Sequence, residues 1–172
     1  LYKLRSKVEI LNLSNEFVVA VISKEKFLDM ENSNSNAGCT IKFREDSIFL
    51  DPRNIELGAR IVTNLEKLYL SLKKLGLQSA DKNEYYKLSH KIGIPQNNTE
   101  KLQNKLFGIE CNFDELNAID FKKGCYVGQE NTARIKLKDK LSKRLLPIEI
   151  IEGNLDNDII SVENNEIGKV LI

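Results

Sequence analysis

Residues 7–13 and 16–23, KVEILNL and EFVVAVIS, are dense in β-branched positions and separated by a short Ser-Asn step. That pattern predicts a β-hairpin. The polar run 31-ENSNSNAG-38 has no packing period and reads as an exposed loop. CTIKF (39–43) and SIFLD (47–51) predict a second hairpin around Arg44, Glu45 and Asp46. In 51-DPRNIELGARIVT-63 the chain turns at Pro52 and recovers into a strand at about 59–63. Leu65, Leu68, Leu72 and Leu75 recur at helical spacing, with Asn64 placed to cap the helix and Gly76 to stop it. Residues 79–95 repeat the design: Ser79 or Asp81 opens a helix, and Gly93 and Pro95 end it. Residues 96–106 read mostly as loop, and a helical turn is expected at about 114–118. After Arg134, LLPIEII, DIISV and EIGKVLI read as short strands, with turns at Gly153-Asn154 and Asn164-Asn165. Hairpins, central helices and a final β unit together predict an α+β fold.

Composition changes this picture little. Of 172 residues, 41% are hydrophobic and 30% charged, which excludes disordered and fibrous classes. A net charge of +1 gives no global field toward nucleic acid or anionic lipid, so neither direct nucleic-acid binding nor a membrane role is expected. No apolar run approaches the roughly 20 residues of a spanning helix. The chain opens on Leu1, in a stretch that reads as the interior of a domain, so it is expected to be a fragment. The three cysteines, Cys39, Cys111 and Cys125, are far apart, and His90 is the sole histidine. No metal held by this chain alone is expected, and reduced thiols in a cytosol-like compartment are the natural state.

The chemistry concentrates in 121-FKKGCYVGQENTAR-134. A free thiol, with an ordinary pKa of about 8.5, is only a few per cent ionised at pH 7. Lys122, Lys123 and the positive end of a helix beginning near GQEN would each favour the thiolate of Cys125. Gly124 and Gly128 would allow unusual backbone angles and close ligand approach. A buried, inert cysteine at a loop-to-helix junction is the competing reading, since free cysteine is among the most buried residue types. Cys39 and Cys111 lie in apolar settings and read as packing. The basic run 136–144 reads as a solvated face, and Tyr85 and Tyr86 as packing aromatics. Nothing supports a dyad between Cys125 and His90.

The block Lys123, Gly124, Cys125, Tyr126, Gly128, Gln129 and Glu130, followed by Arg134, resembles the K-G-C-[FY]-x-G-Q-E signature of the YgfZ family. These are folate-binding relatives of the glycine-cleavage aminomethyltransferase, GcvT. LYKLRSKVEI (1–10), DPRNIELGAR (51–60), GIP (93–95) and KRL (143–145) are similar to family segments in the same order. The resemblance implies a GcvT-like folate-binding domain over 1–140, lacking its N-terminal part, and the beginning of a C-terminal β-barrel over 141–172. It implies tetrahydrofolate as ligand, with Tyr85 in the folate pocket, and Cys125 as the residue on which activity depends, helped by Lys123. Tyr126, Gly128, Gln129, Glu130 and Arg134 would shape the loop or meet the ligand. The implied role is accessory: assembly or repair of iron–sulfur clusters in client enzymes, including those that thiomethylate tRNA, with those clients or other assembly proteins as partners. The implied compartment is the cytoplasm, or the mitochondrial matrix in a eukaryote. Whether the protein is an enzyme stays open, a folate-dependent aminomethyltransferase being the alternative.

Overall fold

The computed structural model describes residues 7–124, 129–137, 141–153 and 158–172. The chain is a mixed α/β protein that packs into two compact units, Leu1–Ala80 and Asp81–Ile172. The boundary expected at 140/141 adjoins residues 138–140, which lie outside the described residues.

The first unit is an antiparallel sheet with helices. Its strands are β1 (Val18–Ile22), β2 (Thr40–Phe43), β3 (Asp46–Leu50) and β4 (Ala59–Thr63), in spatial order β1-β4-β3-β2. Arg44 and Glu45, at φ 51° and 72°, form the two-residue turn between β2 and β3. Positive φ at both positions matches the twist of the flanking strands. The helix α1 (Lys24–Leu28) was not legible in the sequence; Ser23 caps it, its side chain accepting from the Lys26 N–H at 3.3 Å. Phe27 of α1 drops completely out of solvent onto Ile48, Leu50, Ala59 and Ile61. Burying side chains of this size stabilises by about 1.5–3 kcal/mol each. This cluster is the core.

The expected hairpin of 7–13 with 16–23 does not form. Residues 7–13 are not a strand, and β1 pairs instead with β4, Ala20 opposite Ile61 and Ile22 opposite Ala59. That register sets four apolar side chains on one face of the sheet, the face that meets Phe27. Residues 7–13 gain no such burial, and Leu11 stays 66% exposed. Local β propensity was outweighed by a distant strand offering a better face.

Between β3 and β4, Asp51 is buried and accepts hydrogen bonds from the Arg53 N–H and Nε, both at 3.0 Å, and from Arg53 Nη2 at 2.7 Å. Arg60 Nε lies 2.9 Å from Oδ2, the oxygen that Arg53 Nη2 also meets. The D-P-R…L-G-x-R spacing is thus explained as one carboxylate holding two guanidinium groups. The glycine of that segment is also fixed by geometry. Gly58 has φ 77°, and a Cβ there would sit 2.0 Å from the Ile22 carbonyl oxygen.

α2 (Leu65–Leu75) has the expected caps. Asn64 accepts from the Lys67 N–H at 2.8 Å, and Gly76 closes the helix in the left-handed conformation. Leu68, Leu72 and Leu75 of the expected stripe are half-buried on the side of the buried Ser71, while Leu65, at the start of the helix, is 67% exposed.

In the second unit, α3 (Lys82–Lys91) starts at Asp81, which accepts from the Asn83 N–H at 3.0 Å. Ser89 within it and Ile94, three residues past its end, are buried. A short 3-10 turn at Thr99–Leu102 follows, then a chain of tight turns through residue 123. In the region expected to form a helical turn, Leu116 N–H donates to the Asn112 carbonyl. α4 (Gln129–Leu137) stands where the sequence placed a helix. β5 (Ile159–Val162) and β6 (Asn165–Lys169) form a hairpin, with Glu163 and Asn164 as the turn, one residue before the expected position. The strand expected at 145–151 is absent. Pro147 offers no donor to a ladder, and the Leu145 N–H and carbonyl are engaged by the Glu110 carbonyl and the Asn112 amide.

Candidate functional site

The motif sits between a turn and a helix of the second unit. Asp120 builds the turn. Its carboxylate accepts from the Lys122 N–H at 2.8 Å and its carbonyl from the Lys123 N–H at 3.4 Å. This Asx-type arrangement presents both lysines, exposed, at the start of the signature. Cys125, Tyr126 and Gly128 lie outside the described residues. Gly124 is described: its φ is not positive, and a Cβ there would meet nothing among the described residues within 4 Å.

The helix expected beyond the signature begins at Gln129, and α4 carries the rest of the motif. Glu130 in its first turn suits the positive end of the helix. That carboxylate pairs with Arg134 one turn on, at 2.5 Å, both side chains largely exposed. Two signature residues are therefore engaged with each other on the surface.

Residues that the motif itself does not contain tie down its two ends. Lys136, near the end of α4, forms an ion pair with Asp114 and lies 4.8 Å above the centre of the Phe121 ring. Arg144 pairs with Glu115 and donates from Nε to Asn112 Oδ1 at 2.6 Å. Asn112 Nδ2 donates in turn to the Leu145 carbonyl at 2.9 Å. The buried Glu110 carboxylate accepts from the Phe107 N–H at 2.8 Å. The sequence signal for this network was available: an acidic pair at 114–115 before the motif, and cations at 136 and 144 after it. Read alone, those cations looked like a solvated face.

The other two cysteines are in packing positions. Cys39 lies against the core of the first unit. Cys111 is half-buried, and desolvation, followed by the nearby Glu110 charge, pushes its thiol above the ordinary value. Both effects disfavour a thiolate.

On α3, Tyr85 and Tyr86 are half-buried, their ring centres 6.2 Å apart and their planes tilted by 54°. A cavity of 420 Å³ runs along this helix, and Tyr86, rather than Tyr85, lines it together with His90 and Asn97. His90 Nε2 and Asn97 Oδ1 are buried with no hydrogen-bond partner among the described residues. Buried polar groups are nearly always paired, so these two atoms leave a hydrogen-bonding need unmet. Among the described residues there is no group of three His, Cys, Asp or Glu side chains able to hold a metal ion. No described helix is long and apolar enough to cross a membrane.

No protein-family model matches the chain. Its homologues include mitochondrial iron–sulfur cluster assembly factors. The IBA57 homolog of Dictyostelium discoideum is 32% identical over 148 residues, covering 86% of this chain and 36% of the relative. That of Mycosarcoma maydis is 32% identical over 150 residues, covering 86% of this chain and 33% of the relative. Mouse (Mus musculus) IBA57 is 33% identical over 105 residues, covering 61% and 28%. The chain thus spans about a third of the length of the relatives it matches.

Proposed function

We propose that this chain serves mitochondrial iron–sulfur cluster assembly, with Cys125 as the residue on which its activity depends. The observation that carries this reading is the similarity, along 86% of the chain, to factors named for that role. The K-G-C-Y-x-G-Q-E block supports it from the sequence side. Two exposed lysines precede the thiol, and the positive end of α4 follows four residues later. Each stabilises negative charge, so a thiolate ligand for cluster iron is the chemistry this setting favours. The cluster is cargo, passed to client enzymes; those that thiomethylate tRNA are the clients the signature suggests. The GcvT-like ancestry of the domain and kinship with the YgfZ family belong to the same proposal.

Tetrahydrofolate is the ligand we assign to α3. A heterocycle with a polar edge needs a flat wall and unmatched hydrogen-bonding groups, and Tyr86, His90 Nε2 and Asn97 Oδ1 are of that kind. Tyr85, expected to stack, would then act from beside the cavity. When bound, the folate would supply a one-carbon carrier; the chain's own residues would orient it.

One experiment tests both halves. In the full chain, Cys125→Ser is expected to abolish restoration of cluster-enzyme activity in cells lacking the native factor, with the circular dichroism spectrum unchanged. Undiminished client activity removes the thiol from the account. Tetrahydrofolate titrated into the same two proteins should bind both saturably, and at least tenfold more weakly to Tyr86→Ala. Absence of saturable binding removes folate.

A further inference from the structure

We infer that the outward face of the four-stranded sheet is a docking surface for a protein partner that is apolar at the contact and presents a carboxylate to Arg60 and Lys42. The register assigns this face. Val19 stands opposite Val62, and Arg60 lies between Val21 on one side and Phe49 on the other. Lys42 follows two residues after Thr40, the partner of Phe49. Cross-strand partners and alternate residues of an antiparallel sheet share a face, so these side chains lie together, opposite Ala20, Ile48 and Ile61. Phe27 of α1 covers the face that carries Ile48 and Ile61. α2 reaches the same covered side through Lys74, 5.8 Å above the Phe43 ring. On the outward side, Val19 is 62% exposed and Val62 46%.

Two features separate this face from valines scattered over a surface. Its apolar residues are neighbours across strands, and contiguous exposed apolar surface marks interaction sites. Its charge has one sign: the strand residues on this face include two cations, Lys42 and Arg60, and no carboxylate. Arg60 is also held in advance. Its Nε lies 2.9 Å from the buried Asp51 carboxylate, which Arg53 shares, so these three groups together carry a charge of +1. A planar guanidinium already fixed on one carboxylate loses little freedom when a second one meets it. Arginine and aromatic side chains are enriched where protein surfaces meet, and here Arg60 stands beside Phe49. An anionic lipid surface is drawn by clusters of basic residues, and two cations set among valines and a phenylalanine do not form one. An apolar protein surface with one acidic side chain matches both the valines and the excess charge. The inference is independent of Cys125 and of the cavity along α3.

The test places a photo-crosslinker in the full chain, as Val62→p-benzoylphenylalanine, in cells lacking the native factor. Irradiation is expected to join the chain to a different protein at a peptide that contains Asp or Glu. Changing that acidic residue to Asn or Gln, or Arg60→Gln, should cut the yield at least fivefold, and Arg60→Lys should keep at least half of it. Val19→p-benzoylphenylalanine should capture the same protein, whereas Leu70→p-benzoylphenylalanine, on the exposed side of α2, should not. Amide exchange at Ile48 and Ile61 in Arg60→Gln checks that the sheet is intact, and the change on the partner tests the charge without touching the sheet. An adduct within the same polypeptide means that its own chain covers the face, and this overturns the inference. Adducts with a second copy or with lipid overturn it too, as does the absence of any adduct. Capture that survives both charge changes removes the carboxylate.

Discussion

The two units of this chain are stabilised by different physics. In Leu1–Ala80, Phe27, Ile48, Leu50, Leu57, Ala59 and Ile61 are buried around a regular antiparallel sheet. In Asp81–Ile172, among the described residues, Ile94 and Ile109 are the buried hydrophobics, and turns are tied together by side-chain amides and ion pairs. Apolar burial is indifferent to salt and to modest pH change, while exposed ion pairs are weakened by both. The signature belongs to the second kind of region. A loop that must present a reactive group is better served by contacts that can adjust than by a packed core, which has few alternative arrangements.

The contrast is tested most severely by Phe27→Ala. Removing a fully buried aromatic should cost about 3–5 kcal/mol and melt the first unit, while exchange protection in α4 stays close to parental. Equal loss of protection in both units would mean that they fold as one. A smaller effect is expected from Asp51→Asn, about 2 kcal/mol at pH 7, because the partner arginines are each about a quarter exposed and solvent screens them. Burial raises the Asp51 carboxyl, but the Arg53 hydrogen bonds and the charges of Arg53 and Arg60 outweigh it, so the folded value lies below the ordinary one. The sign follows: this stabilisation is fully present above about pH 4, the unfolded value, and is lost as pH falls through the folded one. Thermal melts should separate parent from variant at pH 7 and draw together as pH falls below the ordinary carboxyl range; a constant gap would assign the effect to packing. The smallest effect falls on the second unit. Raising sodium chloride from 0.1 to 1 M shortens the screening length from about 10 to 3 Å. Exchange in α4 should rise about twofold, while protection of Ile48 and Ile61 stays unchanged.

Recognition of the site in the sequence was uneven, and the pattern has a cause. Asn64, Asp81 and Gly76 announced their helices, and Arg44-Glu45 its hairpin, because capping and turn formation involve residues two to four apart. The signature was visible for a similar reason, being eight contiguous positions. The pairing of Lys136 with Asp114 was not, since the two are separated by the whole motif and each has an innocuous local context. Gly124, where unusual backbone angles were expected, has no positive φ.

By itself the sequence determined the caps of α2 and α3 and the turn between β2 and β3, that Gly58 belongs to a fixed D-P-R…L-G-x-R spacing, and that position 125 carries a thiol beside two cations. Tertiary structure alone decided that β1 pairs with β4 instead of residues 7–13, that Leu145 bonds to Glu110 and Asn112, and that Lys136 pairs with Asp114. Local choices are made by short-range hydrogen bonds whose partners lie in the same few residues. Pairing across tens of residues is decided by which distant surface buries the most apolar area or satisfies a charge, and that comparison exists only once the chain has folded.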